Sequence, residues 1–220
     1  MQKVLFHTSY QISITGDFYE PNEPSAKGAV LVHMMPAAKE SWRDFAAKLQ
    51  TAGFQALAID LRGHGESGSP RSSSGAAGGG DYRQFSDAEH QASIHDLEAA
   101  AEFLKQKGVN ELHFAVASIG SNLSLQYLAQ NPETKSVILF SPGLDYRGIE
   151  TAPLAARVPD KYKILFVGAK DDEDTMGASC EEIIQKLGLA KSLIYDSGGH
   201  GTNLFQSHPE LSEKLIEFLK

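Results

Sequence analysis

The sequence predicts an α/β protein: a mostly parallel sheet of about eight strands with an antiparallel start and helices on both faces. Three observations carry that expectation. Near-continuous apolar runs recur along the chain, as expected of parallel strands covered on both sides. Amphipathic stretches with readable ends separate them. The 220 residues, 41% of them hydrophobic, suffice for one substantial core, so residues 1–220 are expected to form a single domain.

Val4 to Thr8 and Ile12 to Tyr19 are short alternating segments that read as the antiparallel opening pair. Ala29 to Met34, Gln55 to Asp60, Leu112 to Ala117, Val137 to Phe140 and Lys163 to Val167 are the buried parallel strands, and Ser192 to Tyr195 is a last, shorter one. Trp42, Phe45, Ala46 and Leu49 share a helical face before Gly53. Ser86-Asp87-Ala88-Glu89 has capping-box spacing ahead of Ile94, Leu97, Ala101 and Leu104, and Gly108 ends that helix. Ile183, Ile184 and Leu187 precede Gly188, and Leu211, Leu215 and Phe218 form the inner stripe of a terminal helix with Pro209 in its first turn. Strands alternating with helices imply right-handed crossovers. The stretch from Glu66 to Gly80, rich in Gly and Ser, cannot bury enough apolar surface to offset its ordering and reads as a flexible surface loop or a flap over a site.

Composition excludes several function classes. A net charge of -8 disfavours a nucleic-acid partner, which needs clustered cations. One cysteine, Cys180, precludes an internal disulfide, and no run reaches membrane-spanning length or resembles a signal peptide, so a cytoplasmic protein with no membrane partner is expected. No His or Cys pairing has metal-ligand spacing, and Gly78-Gly79-Gly80 follows no strand, so neither a metal nor a dinucleotide cofactor is expected.

The chemistry begins at Ser118. The run Leu112 to Ala117 stops abruptly at Ser118-Ile119-Gly120 and continues with helical spacing through Leu123, Leu125 and Leu128, the pattern of a strand, a sharp turn and a helix that pushes a serine toward a ligand. A serine hydroxyl needs a base and an orienting carboxylate. After the strand Ile164 to Val167 comes Gly168-Ala169-Lys170-Asp171-Asp172-Glu173-Asp174, and after the last strand His200 stands among Gly198, Gly199 and Gly201. In that order His200 would take the Ser118 proton, while Asp171 or Asp172 would hold the imidazole tautomer. Charge developing on a substrate carbonyl oxygen would meet the backbone N–H of Ile119 and that of Met34 or Met35 in the loop after Val30 to His33.

These segments resemble the α/β-hydrolase family over nearly the whole chain. His33-Met34-Met35-Pro36 is similar to the family's His-Gly-x-Pro oxyanion turn, and Asp60-Leu61-Arg62-Gly63-His64-Gly65-Glu66-Ser67 to its Asp-x-Arg-Gly-His-Gly-x-Ser segment. Ser118-Ile119-Gly120 matches the nucleophile elbow, Gly168-Ala169-Lys170-Asp171 the acid turn, and Gly199-His200-Gly201 the histidine loop. The resemblance implies a cofactor-independent serine hydrolase like small lidless carboxylesterases and dienelactone hydrolase relatives, acting on a small-molecule ester through an acyl-enzyme. Thioester or amide cleavage, or peracid formation, at the same triad is the neighbouring alternative, and a non-catalytic binding or signalling module is the distant one. The spacing from Gly168 fits Asp171 as the acid. The Asp-Glu-Asp-Thr run resembles the polar residues after the acid in several small relatives and favours Asp172.

Three departures from the family pattern stand out. Val116 occupies the elbow position that usually holds glycine, Met34 replaces the glycine of the oxyanion turn, and the chain between Ser141 and Lys163 is too short for a helical lid. An open site preferring short acyl chains follows from the third. The remaining histidines read as structural: His64 shapes its turn, His33 opens the oxyanion loop, His113 lies in a strand, and His90, His95 and His208 belong to helices or helix starts. Asp60 reads as a turn former and Cys180 as a small packed hydrophobe.

Overall fold

The computed structural model describes residues 1–68, 79–131, 133–155, 157, 163–173 and 191–220. The helix expected around Ile183 to Leu187, Cys180, Asp174 and most of the Gly/Ser-rich loop lie outside the described residues.

Ten strands are described: β1 (Gln2–His7), β2 (Ser13–Tyr19), β3 (Lys27–Val32), β4 (Gln55–Ile59), β5 (Glu111–Ala117), β6 (Ser136–Phe140), β7 (Asp145–Tyr146), β8 (Ile149–Glu150), β9 (Lys163–Ala169) and β10 (Ser192–Tyr195). The described helices are α1 (Arg43–Thr51), α2 (Asp87–Gln91), α3 (Ile94–Gln106), α4 (Ile119–Gln130), α5 (Thr151–Ala155), α6 (Leu204–Ser207) and α7 (Leu211–Leu219). Eight strands form one sheet in the order β1-β2-β4-β3-β5-β6-β9-β10, while β7 and β8 make a separate hairpin. The pairs β1–β2 and β2–β4 are antiparallel and the rest of the large sheet is parallel, as the sequence predicts.

Period-two alternation divides the buried strand residues between two cores. Val30, Val32, Phe114 and Val116 face Leu97, Leu104 and Leu123 of α3 and α4. Ala29, Leu31, Ala115 and Ala117 face Phe45 and Leu49 of α1 and Leu211 and Leu215 of α7. The strands are apolar on both sides because both sides are covered.

Two boundaries differ from the sequence reading. The Ser86 capping box forms, but it caps the short α2, and Ala92 and Ser93 separate that turn from α3. Helix α7 begins at Leu211, so Pro209 lies in the turn before it rather than in its first turn.

The strand order fixes where a site can form. From β3 the chain moves to β4 on one side and later to β5 on the other, so the carboxyl ends of β3 and β5 flank a topological switch point. The loop beginning at His33 and the turn at Ser118 leave the sheet there.

Candidate active site

The elbow at Ser118 is held in a conformation L-residues rarely adopt. Its φ is 54° and ψ is -120°, between the end of β5 and the start of α4. Neighbouring groups over-determine it. The Ser118 N–H donates to the Phe140 carbonyl at 2.9 Å, the Ser121 N–H donates to the Ser118 carbonyl at 2.8 Å, and the Ser121 hydroxyl lies 3.0 Å from the carbonyls of both Val116 and Phe140. Glycine is needed at 120, where a Cβ would come within 2.9 Å of Val32 and push α4 off β3. Val116 does not prevent the turn: it is fully buried in the core that holds Val32, Ile119 and Leu139. Ser118 itself is half-buried, within reach of a ligand.

The two candidate acids have different partners. His200 Nδ1 lies 3.0 Å from both carboxylate oxygens of Asp172, whose side chain has no exposed surface. An Nδ1–H donated to that carboxylate leaves Nε2 with its lone pair, the form a general base requires. Asp171, one residue earlier, accepts the N–H groups of Gly198 and Gly199 at 3.1 and 3.0 Å. It braces the loop that carries the histidine.

Gly201 ties that loop to the elbow. Its φ is +56°, its N–H donates to the Ser141 hydroxyl at 3.0 Å, and a Cβ there would lie 3.4 Å from the Ala117 Cβ. The residue after His200 thus packs on the residue before Ser118.

The third loop is set by His33, which has no exposed surface. The Leu61 N–H donates to His33 Nε2 at 3.1 Å, which makes Nδ1 the protonated nitrogen, and Nδ1–H donates to the Met34 carbonyl at 2.8 Å. Carbonyl and N–H point in opposite directions across a trans peptide, so the Met35 N–H is turned away from His33. Burial pushes the His33 pKa down, consistent with a neutral ring. Among the described residues, non-glycine positive φ occurs at Gln11, Ser118, Ser141 and Arg147, so Met34 sits where its family counterpart is glycine without left-handed strain.

Three supports around these loops were not legible in the sequence. Lys39, with its side chain 1% exposed, donates from its backbone N–H to Asp60 Oδ1 at 2.8 Å and from Nζ to Asp60, Glu40 and Glu66. Burial opposes that charge, and the hydrogen bonds that Lys39 donates to Glu66, Glu40 and Asp60 overcome the penalty and raise its pKa. Asp60 also accepts the Glu66 N–H, so its turn-forming role is joined to a buried ion pair with Lys39, just after the loop that follows β3. Buried Asp96 binds Arg62 through its backbone N–H and guanidinium and so fixes the neighbouring turn. Asn122 of α4 donates to the carbonyls of Gly143 and Ile149, holding the β7–β8 hairpin so that Tyr146 OH donates to the Met35 sulfur at 3.2 Å. A lone Asn on a buried face of small and apolar residues was the available signal for that last clamp.

Comparison with known proteins agrees with this fold. No curated protein matches the sequence. Among solved structures, the esterase Pf2001 of Pyrococcus furiosus superposes with a TM-score of 0.77 at 15% identity, covering 99% of this chain and 91% of that one. Est1E of Butyrivibrio proteoclasticus, in a structure with ferulic acid bound, gives a TM-score of 0.77 at 15% identity over 98% of both chains. An alpha-beta serine hydrolase homologue from Coxiella burnetii gives 0.73 at 14% identity, covering 100% of this chain and 97% of that one. At such identities the likeness establishes the fold. Residues 30–172 match the family described as alpha/beta hydrolase fold, a span that includes the loop after β3, the turn at Ser118 and both candidate acids. The chain belongs to the α/β hydrolase fold family.

Proposed function

We propose that this protein is a serine hydrolase that cleaves small carboxylic esters through Ser118, His200 and Asp172. The observation that carries the reading is the His200–Asp172 pair, which leaves Nε2 of the imidazole as a base at the end of the sheet where Ser118 emerges. Ser118 Oγ attacks the ester carbonyl carbon as its proton passes to His200 Nε2. The carbon–oxygen bond to the alcohol then breaks, and the departing oxygen takes that proton. Water, deprotonated by the same nitrogen, hydrolyses the acyl-enzyme to release the acid and restore Ser118. The N–H of Ile119 and, by the orientation His33 imposes, that of Met35 serve the oxyanion; Met35 is preferred to Met34 on this ground.

Family membership and the esterase neighbours support hydrolase activity, and the short segment between β6 and β9 supports an open site that favours short acyl chains. No cofactor takes part in this chemistry. Replacing Ser118 by Ala is expected to lower p-nitrophenyl acetate turnover by about 10⁴-fold or more while leaving the melting temperature unchanged. A fluorophosphonate probe is expected to label the native chain at Ser118. Unaltered turnover in the variant, or absence of labelling in the folded protein, refutes the proposal.

A further inference from the structure

At the end of the sheet opposite Ser118 and His200, β9, β10 and α7 border an open hollow of about 390 Å³. Its composition follows from two periodicities. Side chains alternate along a strand, so Lys163 shares a face of β9 with Leu165, and Lys191 precedes Leu193 on the same face of its neighbour. The parallel register pairs Leu193 with Val167, which keeps the two stripes on one side of the sheet. On α7, Lys214 and Phe218 are four residues apart and face the same way.

The result is an apolar floor of Leu165, Leu193 and Phe218, continuous with the core beneath α7, and a rim carrying three lysines. All three lysines are exposed. The Lys191 ammonium lies 6.0 Å from the Phe218 ring centroid, and that of Lys214 lies 3.4 Å from the Tyr195 hydroxyl and 3.6 Å from Glu210. Glu217 is the one acid in the lining. In a chain of net charge -8 this hollow reverses the prevailing sign beside an apolar surface.

We propose that the hollow binds an amphipathic organic monoanion, specifically a medium-chain carboxylate, with its head between the ammonium groups of Lys163 and Lys191 and its tail on Leu165, Leu193 and Phe218. Charge complementarity selects the head, and the apolar floor distinguishes this ligand from an inorganic anion. The site stands on its own geometry and does not depend on the esterase reading. It lies on the two strands whose far ends lead to Asp172 and His200.

Calorimetric titration of the full chain with octanoate tests the proposal, alongside octanol and inorganic phosphate as controls. One equivalent of octanoate is expected to bind, more weakly at high salt, and both controls are expected to bind at least about tenfold more weakly. The exposed double substitution K163Q/K191Q is expected to weaken octanoate at least about tenfold with unchanged circular dichroism and melting temperature, and S118A is expected to leave it intact. Octanol or phosphate binding as tightly as octanoate overturns the assignment of ligand class. No saturation by about 10 mM, or binding indifferent to K163Q/K191Q, overturns the site.

Discussion

Gly201 and Met34 approach so closely that a Cβ on residue 201 would lie 2.6 Å from the methionine sulfur. The histidine loop and the loop after β3 therefore meet at the Met34 side chain, which Gly201 and Thr202 both approach, and Gly201 has a φ of +56° that already excludes most side chains. Gly201→Ala is expected to lose about 1–3 kcal/mol of stability in urea denaturation and to lower esterase kcat more than it changes KM. Two terms make up that loss, and a second substitution separates them. Met34→Ala removes the clash but not the backbone strain, so the double variant is expected to recover part of the activity lost by G201A alone. Full recovery would show that φ contributes nothing.

The neighbouring carboxylates predict unequal effects. Asp172→Asn removes the charge that holds the His200 tautomer and is expected to reduce kcat by about 10⁴-fold with little change in folding. Asp171→Asn weakens acceptance of the Gly198 and Gly199 N–H groups, which is expected to cost about 1 kcal/mol of stability and no more than about tenfold in kcat. Steady-state kinetics on both variants decides the assignment: a reversed ranking would give the orienting role to Asp171, and equal losses would overturn the distinction between the two.

The choice between Asp171 and Asp172 is not written in the sequence, for a physical reason. Strand, turn and helix patterns are written in side-chain periodicity, so the strand-turn-helix at Ser118 and the succession of strands along the chain are legible. The choice between adjacent acids depends on which carboxylate turns inward and which meets main-chain N–H groups, and backbone donors leave no trace in residue identity. The same silence hides Lys39. A lysine near a helix start reads as solvated, and only the fold carries Asp60 and Glu66 to it from 21 and 27 residues away. The break between α2 and α3 is another case, because Ala92 and Ser93 are compatible with an uninterrupted helix.

Buried histidines set the response to acid. Burial lowers the pKa of His64 to about 4, with nearby His33 adding to the effect, and burial likewise lowers His113 to about 4; His33 and His90 are shifted in the same direction. Each of these rings binds a proton more readily when unfolded, near pH 6.5, than when folded. Stability is therefore complete above about pH 6.5 and is lost as pH falls toward 4, by about 3 kcal/mol each for His64 and His113. Asp96 and Asp17, raised by burial, work in the opposite sense, gaining stability as they protonate. Guanidinium unfolding between pH 7 and pH 4 is expected to show the net fall, and the double variant H64Q/H113Q a flatter profile. An unchanged slope in that variant would remove these two rings from the account.

The charge network around Lys39 predicts a contrast between buried and exposed ion pairs. Lys39 and Asp60 are both buried, and the carboxylate has no exposed surface, so Lys39→Met leaves an ionised group without its cation in a low-dielectric site. The expected loss is about 3–5 kcal/mol, accompanied by lower kcat, because the Lys39 turn follows directly on the loop that presents Met35. Lys3 also contacts Glu66, at 2.6 Å, but both side chains are about half exposed, and Lys3→Gln is expected to cost less than about 1 kcal/mol with kcat unchanged. Replacing both members of the buried pair, K39M/D60N, is expected to recover part of the K39M loss, since no uncompensated carboxylate then remains. Chemical denaturation of the four proteins measures this directly; equal losses for K39M and K3Q would mean that burial does not govern the strength of this network.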